Sequence, residues 1–415
     1  MKKRFLAWLM IFPFFFAGPA SAQNKVYKPL SLVFNDQIYK LDFKVNPDLI
    51  SKTPRYFWKI NNQKVPLDLN QEILAQDDLI QVETVFEEEI SRDYLKKLFD
   101  EMFNIGDETN SFVKISRDKT GKIMFSGVPH SGYDIKFEKF YKLVNDGFKK
   151  RVKYIRIPAK KKFSRVIVED KELQKRGIKE VIAIGESNFA GSSWARRKNI
   201  SVAAGLYNGL IIPRGKIFSF NEVLQDVSEA RGFVRELVIK GNKTEKEYGG
   251  GVCQVSTTVF RAAFLGGLDI IKRRSHSYAV PYYKPHGLDA TIYLGVQDFK
   301  FKNDTPGDIL IQTVVNSEKN ELKFIFYGTR DNREVEIEGP FISSYRRAPE
   351  PIIEKTDQLP PGEKYLQSYA HDGFFTRWRR HIKLANGENK EELLNSNYRP
   401  WPARILLGVP PEELE

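Results

Sequence analysis

The sequence has very little cysteine and histidine: Cys253 is the only cysteine among 415 residues, and the five histidines are scattered along the chain. A single cysteine cannot form an internal disulfide, and it excludes zinc or iron–sulfur sites built from several cysteines. The scattered histidines indicate no metal cluster, so we expect neither a metal nor another cofactor. Cys253 is therefore a buried inert residue, an intermolecular link or a reactive thiol.

Apolar runs long enough to span a membrane are also absent. Phe5–Ala17 is apolar, but it follows the basic residues Lys2-Lys3-Arg4 and precedes the small residues Ala20-Ser21-Ala22. This order is typical of a secretory signal peptide over residues 1–22, cleaved after Ala22. An uncleaved anchor is the alternative, but the run is shorter than the ~20 residues that a spanning helix needs. We expect an exported protein of the cell wall, periplasm or extracellular space, with at most peripheral membrane contact.

Acidic residues are outnumbered by basic ones, which gives a formal net charge of +13 at pH 7; loss of the three charges of Lys2-Lys3-Arg4 leaves +10. Such a balance favours nucleic acid, anionic membranes or acidic wall polymers as partners. Nucleic-acid-binding motifs are absent and the protein is expected outside the cell, so we expect no nucleic-acid partner. Anionic wall polymers fit better, unless the charge serves only solubility.

About 390 residues remain after the leader, which is enough for two or three domains. Residues 23–165 alternate strand-like runs with two predicted helices and indicate a small α+β domain. The expected helices are Ile90–Phe103 and Tyr133–Phe148, and the expected strands are Leu30–Phe34, Ile38–Phe43, Leu79–Phe86, Lys122–Gly127 and Val152–Ile157.

A second α+β region is predicted over residues 181–330. Apolar spacing predicts a helix over Asn199–Leu210 and another after Gly249-Gly250-Gly251, ending near Gly266-Gly267. Strands are expected over Ala290–Val296, Ile309–Val315 and Leu322–Tyr327, with a hairpin turn before the last.

The tail, residues 345–411, indicates a small β-module on a linker. Phe374–Leu384 alternates, and Asn386-Gly387 is a strong hairpin-turn signal. With the two preceding regions, this predicts a multidomain α+β protein.

Cys253 lies where a glycine loop enters a helix. A thiolate in the first helical turn is stabilised by free backbone N–H groups and by the positive end of the helix dipole, which lower the thiol pKa. Gly250 and Gly251 would let a substrate approach, and they are candidate substrate or oxyanion residues together with Ser256 and Thr257. Alternatively, Cys253 is a small core residue and the glycines only form a turn.

A nucleophilic thiol needs a base, and histidine is the usual one. His276 follows the predicted helix and is the first candidate, and His286 is the second. Asp289 would orient the imidazole, although it would equally serve as a strand cap. Spacing alone leaves these alternatives open.

Four motifs, in order, resemble the VanW family over about Val181–Tyr327. They are Ile217-Phe218-Ser219-Phe220-Asn221, the segment Gly249–Thr258 around Cys253, Ser275-His276-Ser277 and Gly287-Leu288-Asp289-Ala290-Thr291. The stretch before them is similar to a peptidoglycan-binding-type domain. The tail resembles a G5-type β-module, including Tyr398-Arg399-Pro400 and Leu407-Gly408-Val409.

The resemblance implies a cysteine acyl transferase acting on peptidoglycan stem peptides, specifically an L,D-transpeptidase forming 3–3 cross-links. Cys253 matches the family cysteine, His276 the family histidine, and Asp289 a family position. The implied partners are stem peptides and glycan. Two other functions stay open: a thiol peptidase or amidase, in which water replaces the acceptor amine, and a non-catalytic wall-binding scaffold.

Overall fold

The structure, a computed structural model, describes residues 27–34, 37–60, 63–66, 81–103, 112–158, 160–240 and 243–414. The predicted signal peptide lies outside these residues. In the described part of the chain, no helix combines the length and apolarity needed to cross a bilayer. The fold is α+β and multidomain, as predicted from the sequence.

The chain divides into two compact units. The first contains residues up to Val33, Ile38–Phe99 and Phe137–Ile157; the second contains Phe34–Gln37, Asp100–Lys136 and Pro158–Glu415. The predicted 23–165 region thus contributes to both units, whereas the predicted 181–330 and 345–411 regions share the second.

The N-terminal third is built of short strands and two helices. In chain order they are β1 (Leu30–Phe34), β2 (Gln37–Leu41), β3 (Ile50–Ile60), β4 (Gln63–Pro66), β5 (Gln81–Ile90), α1 (Arg92–Phe103), β6 (Phe112–Arg117), β7 (Ile123–Ser126), β8 (Ser131–Asp134), α2 (Phe137–Lys149), β9 (Tyr154–Arg156), β10 (Lys160–Phe163) and β11 (Arg165–Val168).

The strands of this third form four small sheets, in the orders β2-β1-β9, β4-β3-β5, β11-β6-β7 and β10-β8. The predicted strand Leu30–Phe34 is confirmed as β1, and the other predicted strands have counterparts with shifted ends; residues 79 and 80 of the strand predicted over Leu79–Phe86 lie outside the described residues. Both helices begin later than predicted because strand pairing takes their first residues. Ile90 pairs with Ile50 at the end of β5, and Tyr133 pairs with Lys161 between β8 and β10.

The first unit is held together partly by helix α2 against strand β5. Phe140 and Val144 of α2 are fully buried. Asn145 accepts a 2.7 Å hydrogen bond from the Ile90 N–H, and Lys149 binds the carboxylates of Glu87 and Glu89. The apolar and polar faces of one helix therefore both fix its position.

The middle of the second unit contains the four remaining helices. Its elements are α3 (Lys171–Lys175), β12 (Glu180–Asn188), α4 (Trp194–Gly205), β13 (Ile211–Ile212), β14 (Ile217–Ser219), α5 (Phe220–Leu224), β15 (Arg235–Lys240), β16 (Lys243–Tyr248), α6 (Val252–Leu265), β17 (Asp269–Lys272), β18 (Lys300–Lys302), β19 (Ile309–Asn316) and β20 (Glu321–Gly328). The predicted hairpin of β19 and β20 is confirmed.

Helix α4 begins and ends five residues earlier than predicted. Ser193 caps it, because its hydroxyl accepts a hydrogen bond from the Arg196 N–H. The apolar residues that predicted this helix are all buried: Ile200, Ala203, Ala204 and Tyr207. The last of them, Tyr207, lies in the turn after the helix. The periodic pattern continued past the end of the helix because the turn packs against the same core.

The predicted strand Ala290–Val296 was wrong. Only the bridge between Tyr293 and Gln297 is formed there. The Ala290 carbonyl instead accepts hydrogen bonds from side chains of α6, so the segment lies along that helix rather than in a sheet. Strand-like residue types indicate that a segment is partly buried but not what covers it, and here the covering element is a helix.

Helix α6 packs directly on the four-stranded antiparallel sheet β12-β20-β19-β13. Gly185 of β12 permits the close approach: a Cβ there would lie 2.2 Å from the Thr258 carbonyl oxygen and 2.4 Å from the Ala262 nitrogen. The position of α6, and of Cys253 at its start, thus depends on glycine at position 185 of the sheet.

The C-terminal strands pack on the same core. They are β21 (Glu334–Arg346), β22 (Ile352–Thr356), β23 (Lys364–Ser368), β24 (Gly373–Lys383), β25 (Asn389–Tyr398) and β26 (Arg404–Gly408), in sheets β21-β24-β25 and β22-β26-β23. The predicted hairpin turn at Asn386-Gly387 joins β24 to β25.

Strand β21 covers residues 334–346, immediately before and at the start of the predicted module, and pairs with β24 inside it. Trp378 of β24 belongs to the core that contains α6. Arg380 donates hydrogen bonds to the carbonyls of Phe264 and Leu268 at the end of α6. The C-terminal sheet therefore fixes the far end of the helix that carries Cys253.

We predict that Gly185→Ala lowers the free energy of unfolding by about 3 kcal/mol, because its Cβ would meet helix backbone that cannot move without separating α6 from the sheet. Urea unfolding of the purified protein measures this loss. Gly205→Ala is the control: no atom lies within 4 Å of its Cβ position, and alanine there should raise stability by up to about 1 kcal/mol. Equal effects of the two substitutions would contradict the prediction.

Candidate functional site

Cys253 is the second residue of helix α6, as predicted from the sequence. The helix is entered through Gly251, whose φ of +111° suits glycine. A Cβ on Gly251 would lie 3.0 Å from Ile200 Cγ1 and 3.1 Å from the Arg196 carbonyl oxygen. The positive φ and the lack of space for a Cβ therefore both require glycine directly before this helix. They fix where the helix begins and thus place Cys253 in its first turn.

The thiol lies beside the extended segment that follows Asp289. Its sulfur is 3.7 Å from Thr291 Oγ1 and 3.7 Å from the carbonyl oxygen of Ile292. Cys253 is partly buried, unlike the neighbouring residues of α6, which are buried. The sulfur is thus in contact with polar atoms and not only with apolar side chains.

Ser256 and Thr257, predicted as substrate or oxyanion residues, have a different place in the structure. Both are fully buried. The Ser256 hydroxyl donates a 2.6 Å hydrogen bond to the Ala290 carbonyl, and Thr257 Oγ1 accepts one of 3.0 Å from the Ala290 N–H. These hydroxyls hold the segment beside Cys253 and do not face a substrate.

Gly250 and Gly251 form the turn before the helix. Gly250 is buried and its carbonyl accepts a hydrogen bond from Asn199. The Gly251 carbonyl accepts from the Gln254 N–H. Within the described residues, no acceptor is paired with the Cys253 N–H itself, so this group at the helix start is the donor best placed for an oxyanion.

His276 is held by Asp289 through two hydrogen bonds. The Asp289 carboxylate accepts from the His276 backbone N–H at 2.8 Å, and its same oxygen, Oδ2, lies 2.5 Å from the ring Nδ1. The ring also packs on Tyr283, with 4.6 Å between ring centroids. Because Nδ1 is bound by the carboxylate, Nε2 is the nitrogen left for the thiol.

Asp289 is itself surrounded by donors. Its other oxygen, Oδ1, accepts a 2.5 Å hydrogen bond from the Tyr398 hydroxyl and one of 3.2 Å from Arg273. The residue is 1% exposed, so its charge is stabilised by these groups rather than by water. Burial acts to raise the pKa of Asp289, but His276 and Arg273 hold it well below its usual range.

The thiol and the imidazole shift each other's protonation. Burial acts to raise the pKa of Cys253, but the hydrogen bond and charge of His276 outweigh it, and the pKa is lowered from its ordinary 9.0. Burial acts to lower the pKa of His276, while Asp289 and then Cys253 raise it to about 9. Both shifts favour a thiolate–imidazolium pair near neutral pH.

The second candidate base, His286, lies elsewhere. Its ring contacts Phe374 and Tyr398 of the C-terminal sheet, with 5.2 Å and 6.1 Å between ring centroids. Burial and then the charge of Lys284 lower its pKa. The geometry thus brings Cys253, His276 and Asp289 together and leaves His286 out.

Sequence reasoning missed Arg273 and Tyr398. Arg273 lies three residues before His276, but nothing in the sequence shows that its side chain is 4% exposed and also binds the carbonyls of Gly287 and Asp289. Tyr398 lies 109 residues after Asp289, on β25. No local pattern links residues that distant.

Groups of three or more histidine, cysteine, aspartate or glutamate side chains able to hold a metal ion are absent from the described residues. Cys253, His276 and Asp289 place a thiol, an imidazole and a carboxylate in hydrogen-bonded sequence, an arrangement also found in cysteine nucleophiles.

Comparison with known proteins assigns the surrounding domain. Residues 195–326 match the family described as VanW like protein. Over 124 residues the chain is 37% identical to the uncharacterized protein YoaR of Bacillus subtilis, covering 30% of this chain and 41% of YoaR. Over 126 residues it is 32% identical to the Vancomycin B-type resistance protein VanW of Enterococcus faecalis, covering 29% of this chain and 46% of that protein.

The chain thus spans less than half the length of the curated relatives it matches. Residues 195–326 are a VanW-like domain homologous to both proteins. The match contains Cys253, His276 and Asp289, but it ends before Tyr398.

We predict two steps in the pH dependence of Cys253 alkylation by iodoacetamide. The first lies below pH 9.0, because His276 lowers the thiol pKa; the second lies near pH 9, where the imidazolium loses its proton and frees the thiolate. In His276→Ala burial, the largest influence on the thiol pKa, is opposed only by the hydrogen bonds at Ile292 and Thr291, so alkylation should begin at higher pH. His381→Ala, at an exposed histidine on β24, should match the wild type, and a His276→Ala profile that also matches would refute the pairing.

We predict that Tyr398→Phe lowers the free energy of unfolding by about 2 kcal/mol, because it leaves the Gly287 N–H and one oxygen of Asp289 without their buried partner. Urea unfolding tests this. Tyr365→Phe, at an exposed tyrosine, is the control and should change stability by less than about 0.5 kcal/mol. A neutral Tyr398→Phe would show that the hydroxyl is not needed by Asp289.

Proposed function

We propose that this protein is a cysteine acyl transferase of the cell envelope, an L,D-transpeptidase that forms 3–3 cross-links in peptidoglycan. The observation that carries the proposal is the Cys253–His276–Asp289 arrangement at the start of α6. Homology of residues 195–326 to a protein named for vancomycin resistance supports a substrate in the cell wall.

In the first step, the Cys253 thiolate attacks the carbonyl carbon of the third residue of a donor stem peptide. A carbon–sulfur bond forms, and the oxyanion accepts a hydrogen bond from the Cys253 N–H at the helix start. The bond to the terminal D-alanine breaks, and the His276 imidazolium gives its proton to the leaving amine. The product is a thioester on Cys253.

In the second step, a side-chain amine of a neighbouring stem attacks the thioester. Neutral His276 takes a proton from this amine, the new amide bond forms, and the carbon–sulfur bond breaks to return the thiolate. The starting ion pair is restored. Every proton is carried by His276, so no metal or cofactor takes part in this scheme.

Asp289 keeps the imidazole in the orientation this scheme needs. Its bond to Nδ1 directs Nε2 to the sulfur, and its negative charge stabilises the imidazolium. Arg273 and Tyr398 both donate hydrogen bonds to Oδ1, and this fixes the orientation of the whole carboxylate.

The remaining expectations belong to the same proposal. The protein is exported through the leader of residues 1–22 and binds stem peptides and glycan. Residues 23–165, similar to a peptidoglycan-binding-type domain, and 345–411, similar to a G5-type module, hold polymer and raise the local concentration of stems. The positive charge favours anionic wall polymers as further partners.

The test is incubation of the purified protein with muropeptides that carry tetrapeptide stems, followed by mass spectrometry. We expect a thioester on Cys253 and 3–3 dimers, both absent from Cys253→Ala. His276→Ala should lower the rate by about 100-fold or more, because the thiol loses its proton carrier.

The same experiment separates the other functions. Shortened stems without dimers would assign a thiol peptidase, in which water resolves the thioester. Binding of muropeptides without any thioester would assign a wall-binding scaffold. Dimers that persist in Cys253→Ala would refute the cysteine mechanism.

A further inference from the structure

Arg196 lies in the first turn of α4, and its side chain contacts Gln254, the residue after Cys253. Its Nε donates a 3.1 Å hydrogen bond to the Ser192 hydroxyl, and its Nη2 donates one of 2.7 Å to the side-chain oxygen of Gln254. The guanidinium carbon lies 4.4 Å from the centre of the Tyr282 ring. Three neighbours of different chemistry therefore hold this partly buried side chain in one place.

Three contacts of Arg196 are with residues that adjoin the cysteine or its histidine. Gln254 is the residue after Cys253, and the Arg196 backbone packs on Gly251 at the start of the same helix. Arg196 also hydrogen-bonds with Tyr283, the residue whose ring packs on His276. The guanidinium thus lies along the rim of the thiol site.

Arg196 has no acidic partner in the described part of the chain. The well-buried arginines Arg273, Arg333 and Arg380 of the same unit each bind a carboxylate, whereas Arg261 donates to four backbone carbonyls instead. The carboxylate of Glu236, on β15, hydrogen-bonds with Ser193 rather than with Arg196. Within the described residues, therefore, no carboxylate is bonded to this positive charge.

An uncompensated guanidinium held on an aromatic ring is suited to an anion. Its planar donors match a carboxylate, and charge-assisted hydrogen bonds of this kind are among the stronger ones in proteins. A guanidinium has five N–H donors, and among the described residues Ser192, Gln254 and Tyr283 account for three of them, which leaves donors for a ligand. Little side-chain freedom remains to be lost on binding.

We propose that Arg196 binds a carboxylate of the peptide substrate and so sets which peptide bond faces Cys253. The inference rests on the proposed function. In that reaction the residue that leaves is C-terminal, so its carboxylate lies one residue from the attacked carbonyl, ~3.8 Å between neighbouring Cα atoms. A side-chain carboxylate on the third residue, where that residue is a diamino diacid, is the other source of the same chemistry.

The experiment measures binding by isothermal titration calorimetry with full-length Cys253→Ala, which cannot turn over. Three synthetic tetrapeptide stems are compared: one with free carboxylates, one amidated at the C-terminus and one amidated on the side chain of the third residue. We expect one amide to weaken binding by about tenfold, the loss of one charge-assisted hydrogen bond. The amide that does so identifies which carboxylate Arg196 holds.

Substitution of Arg196 then tests the residue itself. Arg196→Gln in the same background should bind the free acid about tenfold more weakly and no longer distinguish it from the amides, and Arg196→Lys should keep part of the discrimination. Arg197→Gln is the matched control, because Arg197 binds the Ser192 carbonyl from the same helix turn. Its affinities should equal those of the parent protein.

Three results would overturn the proposal: equal binding of all three peptides by the protein with Arg196 intact, no binding of any, or an Arg196→Gln that weakens all three alike. The first two do not depend on whether the variant folds. If Arg196 discriminates between the peptides but the wild type forms no thioester, the carboxylate site is upheld and acyl transfer is rejected. Failure of this inference and failure of the proposed function are therefore distinguishable.

Discussion

The buried carboxylate of Asp289 is the group on which the arrangement of the site depends. A charge that is 1% exposed is costly unless donors replace the water it has lost, and here His276, Arg273 and Tyr398 provide them. The same bonds orient the imidazole. The groups that stabilise the carboxylate and the group that acts on the thiol are thus parts of one network.

The other side of the site is set by backbone geometry. Gly185 lets α6 lie against the sheet, Gly251 turns the chain into the helix, and the hydroxyls of Ser256 and Thr257 hold the segment next to the sulfur. None of these residues performs chemistry. They bring a helix start, which favours negative charge, to the place where the imidazole lies.

Local pattern was enough to predict part of this arrangement. The glycine run before an apolar helical repeat placed Cys253 in the first turn of a helix, and the structure has it as the second residue of α6. Likewise, alternation and turn residues predicted the β19–β20 and β24–β25 hairpins. These features depend on residues close together in the chain, where spacing and backbone preference decide the outcome.

Features that depend on distant contacts were beyond such reasoning. The segment after Asp289 alternates like a strand, yet it packs on α6, because periodicity reports burial and not the partner. Ser256 and Thr257 are polar and follow the cysteine, which suggested substrate contact, but polarity does not reveal that Ala290 satisfies them. Tyr398 contributes to the site from a different sheet, and only the tertiary fold shows it.

The origin of Tyr398 has a consequence for how the site is assembled. Asp289 and the hydroxyl that binds it are separated by 109 positions in the sequence, and Arg380 of the same sheet holds the end of the helix that begins at the cysteine. Closing so long a loop is slow compared with forming hairpins and helices. We therefore expect a nascent chain whose final sheet has not yet docked to carry its cysteine without the full support of the acid, and complete assembly of the site to come late in folding.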